Sequence, residues 1–321
     1  MKVLIGANPM GLEATLPPCG ESFPGVTFVH EPDRAKLSEA IADADIYVGW
    51  IGDEQFGAAK QLKWIQSPSS GTNYYLAISA LVESDVLLTS ARGTHANCVA
   101  DSTMAMILAM TRGVKDGVIA QQNRDWGAAK AIRPKLLELT GSTMGIIGIG
   151  AIGKAIAKRA KAFGMRVQAV DGFTDEGGPD VDDVWPLERL GPVMAESDYV
   201  VVALPWTPET DNMIGVDLIK QMKPTAMMVG ISRGGIIDQD ALIDALKDGT
   251  IGSAVLDVTK PEPLPEDSEL WGMDNVLILP HIAGGTQLEG QYIADIFRGN
   301  LGKFIANDLP LRNQVDKLRG F

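Results

Sequence analysis

Histidine and cysteine are scarce in this sequence, and their scarcity removes whole classes of chemistry. Three histidines (His30, His95, His281) and two cysteines (Cys19, Cys98) are scattered over 321 residues. A zinc site needs such ligands clustered at short spacing, so zinc-dependent redox chemistry is disfavoured and no metal is expected. Two distant cysteines make no disulfide framework; they read as small buried hydrophobes in a protein of the reducing cytoplasm. Positive charge is short as well: 28 Lys and Arg stand against 41 Asp and Glu, a net charge of −13. That balance argues against a nucleic-acid or anionic-membrane partner, but not against a small anionic substrate held at a locally positive site. No apolar run reaches the roughly 18 residues of a membrane span. Lys2 followed by Val3-Leu4-Ile5 reads as a buried first strand rather than a signal peptide.

What is present is the composition of a folded enzyme-sized protein, 45% hydrophobic and 21% charged. The length exceeds what one core usually supports, so two domains are expected. Short apolar, β-branched runs alternate with helical periodicity. Val3–Ala7, Val26–His30, Ile46–Gly49, Lys63–Ser67 and Val86–Thr89 form one series of expected strands. Met144–Ile149, Arg166–Val170, Tyr199–Leu204, Ala226–Ile231, Gly252–Val258 and Val276–Leu279 form a second. Asp33 is read as the cap of a helix carrying Leu37, Ala40, Ile41 and Ala44, and Asp238 as the cap of one ending near Gly249. Such alternation specifies an α/β fold with parallel sheets. The helical stretches Asp101–Val114 and Gln287–Ala306 are read as the crossings between a discontinuous first domain, 1–95 plus 287–321, and a second, 96–286.

Gly148-Ile149-Gly150-Ala151-Ile152-Gly153 follows an expected strand and opens an expected helix, the context in which G-x-G-x-x-G specifies a dinucleotide-binding loop. The first glycine permits the turn, the second lets backbone approach a pyrophosphate, and the third packs helix on strand. Asp171 ends the next strand, where a carboxylate binds both ribose hydroxyls and repels a 2′-phosphate. The adjoining Gly172-Phe173 offers no arginine for that phosphate, so NAD(H) is expected in preference to NADP(H).

Three chemically useful groups follow three successive expected strands: Arg233 in Ser232-Arg233-Gly234-Gly235, Glu262 in Thr259-Lys260-Pro261-Glu262, and His281 in Pro280-His281-Ile282-Ala283. In a parallel sheet all three emerge at the carboxyl edge, where open α/β sheets bind ligands. A guanidinium can engage the carboxylate and carbonyl of a 2-keto acid together. Reducing that carbonyl takes a hydride and a proton, and histidine is suited to giving the proton near neutrality. A carboxylate beside it fixes the tautomer and favours the protonated form.

On these residues the chain resembles the D-isomer-specific 2-hydroxyacid dehydrogenases, which include glyoxylate and hydroxypyruvate reductases. The likeness runs from about Leu62 to the C-terminus, through Trp64–Ser67, Gly145–Gly153, Leu204–Thr210, Ser232–Gly235, Asp257–Pro265, Pro280–Thr286 and Asn313–Phe321. The resemblance implies two Rossmann-like domains, one flavodoxin-like and one NAD-binding, around a cleft. It implies catalytic Arg233 with a Glu262–His281 acid/base pair. Cofactor contacts are expected from the three glycines, Ala151, Ile152, Asp171, Pro205, Thr210, Ile231, Ser232, Gly284 and Asp257, the last toward the nicotinamide amide. Ser69-Ser70-Gly71 matches the loop whose backbone N–H groups bind the substrate carboxylate. A homodimer joined through the cofactor domain is implied as well.

Some positions depart from the family's pattern. Trp206 replaces an aliphatic residue, Tyr74-Tyr75 replace an acidic one, and Ser102 stands where histidine is common. The first two bear on the substrate pocket, and Trp50 is a candidate for lining it or for packing between domains. Trp126 is either ordinary packing or a reach across a dimer interface. Glu262 stands where formate dehydrogenases carry glutamine, which favours a hydroxy or keto acid. Only forty residues follow His281, so the C-terminal regulatory domain of many phosphoglycerate dehydrogenases is not expected. The competing reading is a binding module like the C-terminal-binding-protein corepressors, whose sequence Ala100–Thr103 resembles; no disordered tail flanks the domains to support it.

Overall fold

The computed structural model describes residues 1–8 and 10–319. The chain forms two compact units, Met1–His95 with Thr286–Phe321, and Ala96–Gly285.

The first unit carries β1 (Lys2–Ile5), β2 (Thr27–His30), β3 (Ile46–Val48), β4 (Trp64–Gln66) and β5 (Leu87–Thr89). They make a parallel five-stranded sheet in the order β2-β1-β3-β4-β5, the flavodoxin-like winding. Both faces are covered, as an all-parallel sheet requires. On one face the helix Glu289–Ile305 presses Ile293, Ala294, Phe297 and Leu301 against Val3, Ile5, Ile46, Val48 and Trp64. Phe297 stacks on the Trp64 ring with centroids 5.1 Å apart. Tyr47, Tyr75, Ile65 and Leu81 lie in the core on the other face. The helix expected behind Asp33 is reduced to Leu37–Ala40; Asp33 instead bonds the Ala35 N–H at 2.9 Å and makes a turn. An aspartate that can cap a helix can equally close a turn on itself, and here local geometry favoured the turn.

The second unit holds β6 (Thr143–Ile147), β7 (Arg166–Val170), β8 (Asp183–Trp185), β9 (Tyr199–Val202), β10 (Met227–Gly230), β11 (Ser253–Leu256) and β12 (Val276–Ile278). The seven-stranded sheet is parallel throughout, ordered β12-β11-β10-β9-β6-β7-β8. This is the dinucleotide-binding winding, whose direction reverses between β6 and β9. Two apolar cores sandwich it, one built on Met144, Ile146, Val201 and Val229, the other on Ile147, Val200, Met228 and Leu242. Asp238 caps the helix Gln239–Lys247 by accepting from the Ala241 N–H at 3.1 Å, and Gly249 beyond it takes φ +76°. The edge strand β8 is the element that periodicity did not reveal. Its three residues are all half-buried, so no alternation of apolar and polar marks them.

Candidate active site

The glycine loop is shaped by crowding. β6 ends at Ile147, and Gly148 turns the chain with φ +98°. A Cβ on Gly148 would stand 2.9 Å from the carbonyl oxygen of Ala203, just past β9, so the turn lies at the point where the strand order reverses. A Cβ on Gly153 would come within 2.3 Å of the Gly148 carbonyl oxygen, so the helix Ala151–Ala162 can pack this closely only with glycine there. At Gly150, the N-cap, a Cβ would meet nothing within 4 Å, leaving an open approach to the first N–H groups of the helix, those of Ala151 and Ile152.

Asp171 lies directly after β7, and both its oxygens are oriented: Oδ2 accepts from Ile149 N–H at 2.9 Å and Oδ1 from Phe173 N–H at 2.8 Å. A carboxylate oxygen has further lone pairs, so ribose hydroxyls can still donate to it. The far side of the loop is the Pro205–Thr210 turn, closed by Thr210 Oγ1 on the Pro205 carbonyl at 2.8 Å. Ile231 is buried beyond β10, and the buried Ser232 Oγ has no hydrogen-bond partner among the described residues. A hydroxyl buried in that way suits a site that receives a polar ligand. The glycine cradle, the helix N-terminus and the carboxylate at the next strand end together fit a dinucleotide.

Arg233, Glu262 and His281 follow β10, β11 and β12, which are neighbours in the sheet. His281 Nδ1 lies 2.7 Å from Glu262 Oε2. The other oxygen of Glu262 accepts from the Thr259 N–H at 3.1 Å, which fixes the carboxylate facing the ring. Gly234 explains how the arginine loop is held against the glutamate loop: a Cβ there would lie 1.9 Å from the Thr259 carbonyl oxygen. Arg233 is half-buried, and its Nη1 donates to the Ser232 carbonyl at 2.6 Å. Burial pulls the guanidinium below its ordinary pKa, and the negative charge of Glu262 acts against that shift. Arginine titrates so high that it stays charged near neutrality. Among the described residues no group of three or more His, Cys, Asp or Glu is placed to hold a metal ion.

Asp257 plays a part that sequence reasoning missed. The side chain is 3% exposed, and its Oδ1 accepts from the N–H groups of Ile282 at 2.8 Å and Ala283 at 3.1 Å. Its Oδ2 also faces the Ala283 N–H at 3.1 Å, and its backbone carbonyl accepts from the His281 N–H at 2.9 Å. The residue therefore bolts the histidine turn, in which His281 takes φ +53°, onto the end of β11. Burial raises the Asp257 pKa above the ordinary carboxylate value, against the lowering effect of those N–H donors. The turn is held from the helix Ala96–Thr111 as well: Ser102 Oγ donates to the Ala283 carbonyl at 3.3 Å, and Cys98 Sγ to that of Gly284 at 3.1 Å. An aspartate at a strand end signals a ligand contact as readily as a backbone anchor, so its position alone did not disclose this role.

In the first unit, Ser69-Ser70-Gly71 forms a tight loop after β4. Ser69 N–H donates to Ser67 Oγ at 3.0 Å, and the Gly71 N–H is bonded to Ser69 Oγ at 3.2 Å. Trp50 is half-buried beside the second core of this unit, and its carbonyl accepts from the Tyr47 hydroxyl at 2.8 Å. Tyr75 is a core residue, fully buried with its hydroxyl on the Gly49 carbonyl at 2.8 Å, whereas Tyr74 is exposed. Trp206 in the second unit covers Gly235 and donates to Asp211 at 2.8 Å.

A model of the family described as "D-isomer specific 2-hydroxyacid dehydrogenase, NAD binding domain" matches residues 104–283, which include all three strand-end groups. The chain belongs to the D-isomer-specific 2-hydroxyacid dehydrogenase family. It is similar to the glyoxylate reductase of Pyrococcus furiosus, 34% identical over 300 residues covering 90% of this chain and 88% of that one. It is likewise similar to the glycerate dehydrogenase of Methylorubrum extorquens, 34% identical over 250 residues and 76% of each chain. A solved D-isomer-specific 2-hydroxyacid dehydrogenase from Xanthobacter autotrophicus, in complex with NADPH, superposes with a TM-score of 0.82 at 26% identity over 99% of both chains. As a member of this family the protein is an oxidoreductase of the 2-hydroxyacid dehydrogenase class with an NAD-binding domain. No helix among the described residues is long and apolar enough to cross a membrane.

Proposed function

We propose that this dehydrogenase interconverts a small 2-keto acid, of the size of glyoxylate or hydroxypyruvate, with the corresponding D-2-hydroxy acid, using NAD(H). The observation that carries the reading is the 2.7 Å contact between His281 Nδ1 and Glu262 Oε2, which follow β12 and β11, with β11 lying next to β10, the strand that Arg233 follows. With Nδ1–H given to the carboxylate, Nε2 is the nitrogen left for substrate. In the reduction direction Nε2–H of the imidazolium donates a proton to the substrate carbonyl oxygen, and Glu262 stabilises the cation that does so. In the oxidation direction neutral Nε2 takes the hydroxyl proton. Arg233 binds the substrate carboxylate and polarises the carbonyl, and in the Ser69–Gly71 loop, where the Ser69 and Gly71 N–H groups are bonded to Ser67 and Ser69 hydroxyls, the Ser70 N–H is the donor for the carboxylate. The bound nicotinamide supplies or accepts the hydride.

Asp171, with no arginine beside it, supports NADH over NADPH, although the Xanthobacter relative was solved with NADPH. An exposed apolar face on the second unit supports a homodimer joined through it. Val114, Val118 and Ile119 on the helix Val114–Gln122 stand exposed with Leu137, and Trp126 is 96% exposed. Light scattering tests the dimer, and a cytoplasmic location accords with a sequence that has only two cysteines, far apart in the chain. Turnover of NADH with a panel of small 2-keto acids tests the activity; NADH binding without turnover of any of them overturns it.

A further inference from the structure

His95 lies outside the acid/base pair, yet it is built into a polar chain that ends in the Ser69–Gly71 loop. Its Nε2 meets Glu289 Oε1 at 2.8 Å. Its Nδ1 meets Ser70 Oγ at 2.8 Å and Thr94 Oγ1 at 2.9 Å. The pair is largely withdrawn from solvent, with side-chain exposures of 12% for His95 and 20% for Glu289. Glu289 sits in the first turn of the helix Glu289–Ile305, where the helix dipole favours its negative charge.

The hydrogens can be followed through this chain. Each hydroxyl has one to give. That of Thr94 goes to the Ala91 carbonyl at 2.8 Å, so toward the imidazole Thr94 presents only lone pairs. Glu289 is an acceptor and claims the proton on Nε2. In the neutral ring Nδ1 is then bare and takes the hydroxyl hydrogen of Ser70. In the imidazolium Nδ1–H donates to the Ser70 oxygen, whose own hydrogen turns to the Ala91 carbonyl at 3.2 Å or to an anion on the loop. In either state the ring grips the same oxygen. The other bonds of this loop run to near neighbours, Ser67 and Ser69, and to Ala91, whose N–H donates to the Ser69 carbonyl at 3.0 Å. His95 joins the loop to the C-terminal helix, an element that is itself fixed by Phe297 and Leu301 in the core.

We infer that His95, held by Glu289, is a positioning residue for the substrate-carboxylate loop: it fixes Ser70 and thereby sets the affinity for the carboxylate of the keto acid. The inference rests on the reading, given under Proposed function, that this loop binds that carboxylate. His95 does not touch the transferred proton or hydride, so its loss acts on substrate binding and leaves the chemical step nearly unchanged. A histidine needed only to fill space would affect stability and every kinetic constant together.

The test is steady-state kinetics with the best keto acid of the panel, together with inhibition by oxamate, a small carboxylate that is not reduced. For His95→Ala the KM of the keto acid and the Ki of oxamate are expected to rise together by about tenfold, the worth of one hydrogen bond to a charged group. The kcat and the KM for NADH should stay within about threefold and twofold of wild type, a split between binding and chemistry. His95→Gln, which can still bridge Glu289 and Ser70, should restore most of the affinity. Ser70→Ala should match His95→Ala, and the double variant should be no worse than either, because both remove one interaction. Glu289→Gln provides the same reading if His95→Ala does not fold. An unchanged KM in the single variants overturns the inference, as does a parallel loss of kcat, both KM values and thermal stability that His95→Gln does not rescue. A wild-type protein that binds NADH but reduces no keto acid overturns the functional reading and this inference with it. An active wild type with an unaltered His95→Ala overturns this inference alone.

Discussion

Replacing Asp257 by alanine separates the anchoring of the histidine turn from its chemistry. The carboxylate holds the N–H groups of Ile282 and Ala283 through contacts of 2.8 and 3.1 Å. Ile282 is exposed, so its freed N–H turns to water at little cost, whereas Ala283 is 1% exposed. A buried donor left without an acceptor costs about 1–3 kcal/mol. Part of that is returned, because the variant no longer buries a carboxylate whose pKa burial has raised. A net loss of about 1–2 kcal/mol follows, which lowers the melting midpoint of a domain this size by roughly 2–8 °C. Asp257→Asn keeps a carbonyl oxygen within reach of both donors and should melt between alanine and wild type. The pH dependence has a definite sign. A raised carboxylate pKa means that the folded state holds the proton more tightly than the unfolded chain. This group's contribution to stability is therefore full below its unfolded pKa and is lost as pH rises through the folded one. Asp257→Asn should remove that slope. The assay is thermal melting across acidic to neutral pH with kcat/KM measured alongside. A Asp257→Ala protein with wild-type melting and full activity would refute the anchoring role.

Arg233→Lys keeps the charge but loses the planar fork, so kcat/KM should fall by on the order of 10–100-fold with an unchanged melting midpoint; a value within threefold of wild type removes Arg233 from the site. Asp171→Ala should weaken NADH binding by about 1–3 kcal/mol and narrow the gap to NADPH, measured by titrating both cofactors; a wild type that prefers NADPH contradicts the reading of this carboxylate. Gly234→Ala places a Cβ 1.9 Å from the Thr259 carbonyl oxygen, so the Arg233 and Glu262 loops must part. About 1–3 kcal/mol of stability and most of the activity should go with it, and a fully active variant would show that the two loops tolerate separation.

The sheets were legible because parallel strands, covered on both faces, appear as short β-branched runs such as Tyr199–Val202. Arg233, Glu262 and His281 were legible for the same reason: each follows such a run, so topology places them on neighbouring strands. What sequence did not show depends on contacts between residues far apart in the chain. Ser70, His95 and Glu289 are brought together only when the C-terminal helix returns to the first sheet, and no spacing in the sequence encodes that. Gly234 must be glycine because the Thr259 carbonyl packs against it, a contact that its sequence neighbours do not encode. Asp257 ends a strand like any ligand-binding acid, and its bonds to residues 282 and 283 follow from a turn whose path periodicity does not describe.

The central claim is that His281 and Glu262 act as one acid/base unit. It is tested most directly by kcat/KM in both directions for wild type, Glu262→Gln, His281→Ala and the double variant. Glu262→Gln keeps the shape of the side chain but removes the charge that faces the imidazole ring across 2.7 Å. Reduction and oxidation should both slow in Glu262→Gln, by on the order of 10-fold. His281→Ala should lose on the order of 10²–10⁴-fold, the usual worth of a positioned acid, and the double variant should lose no more than that. A double variant whose loss is the product of the two single losses would contradict the coupling, and the acid/base pair with it.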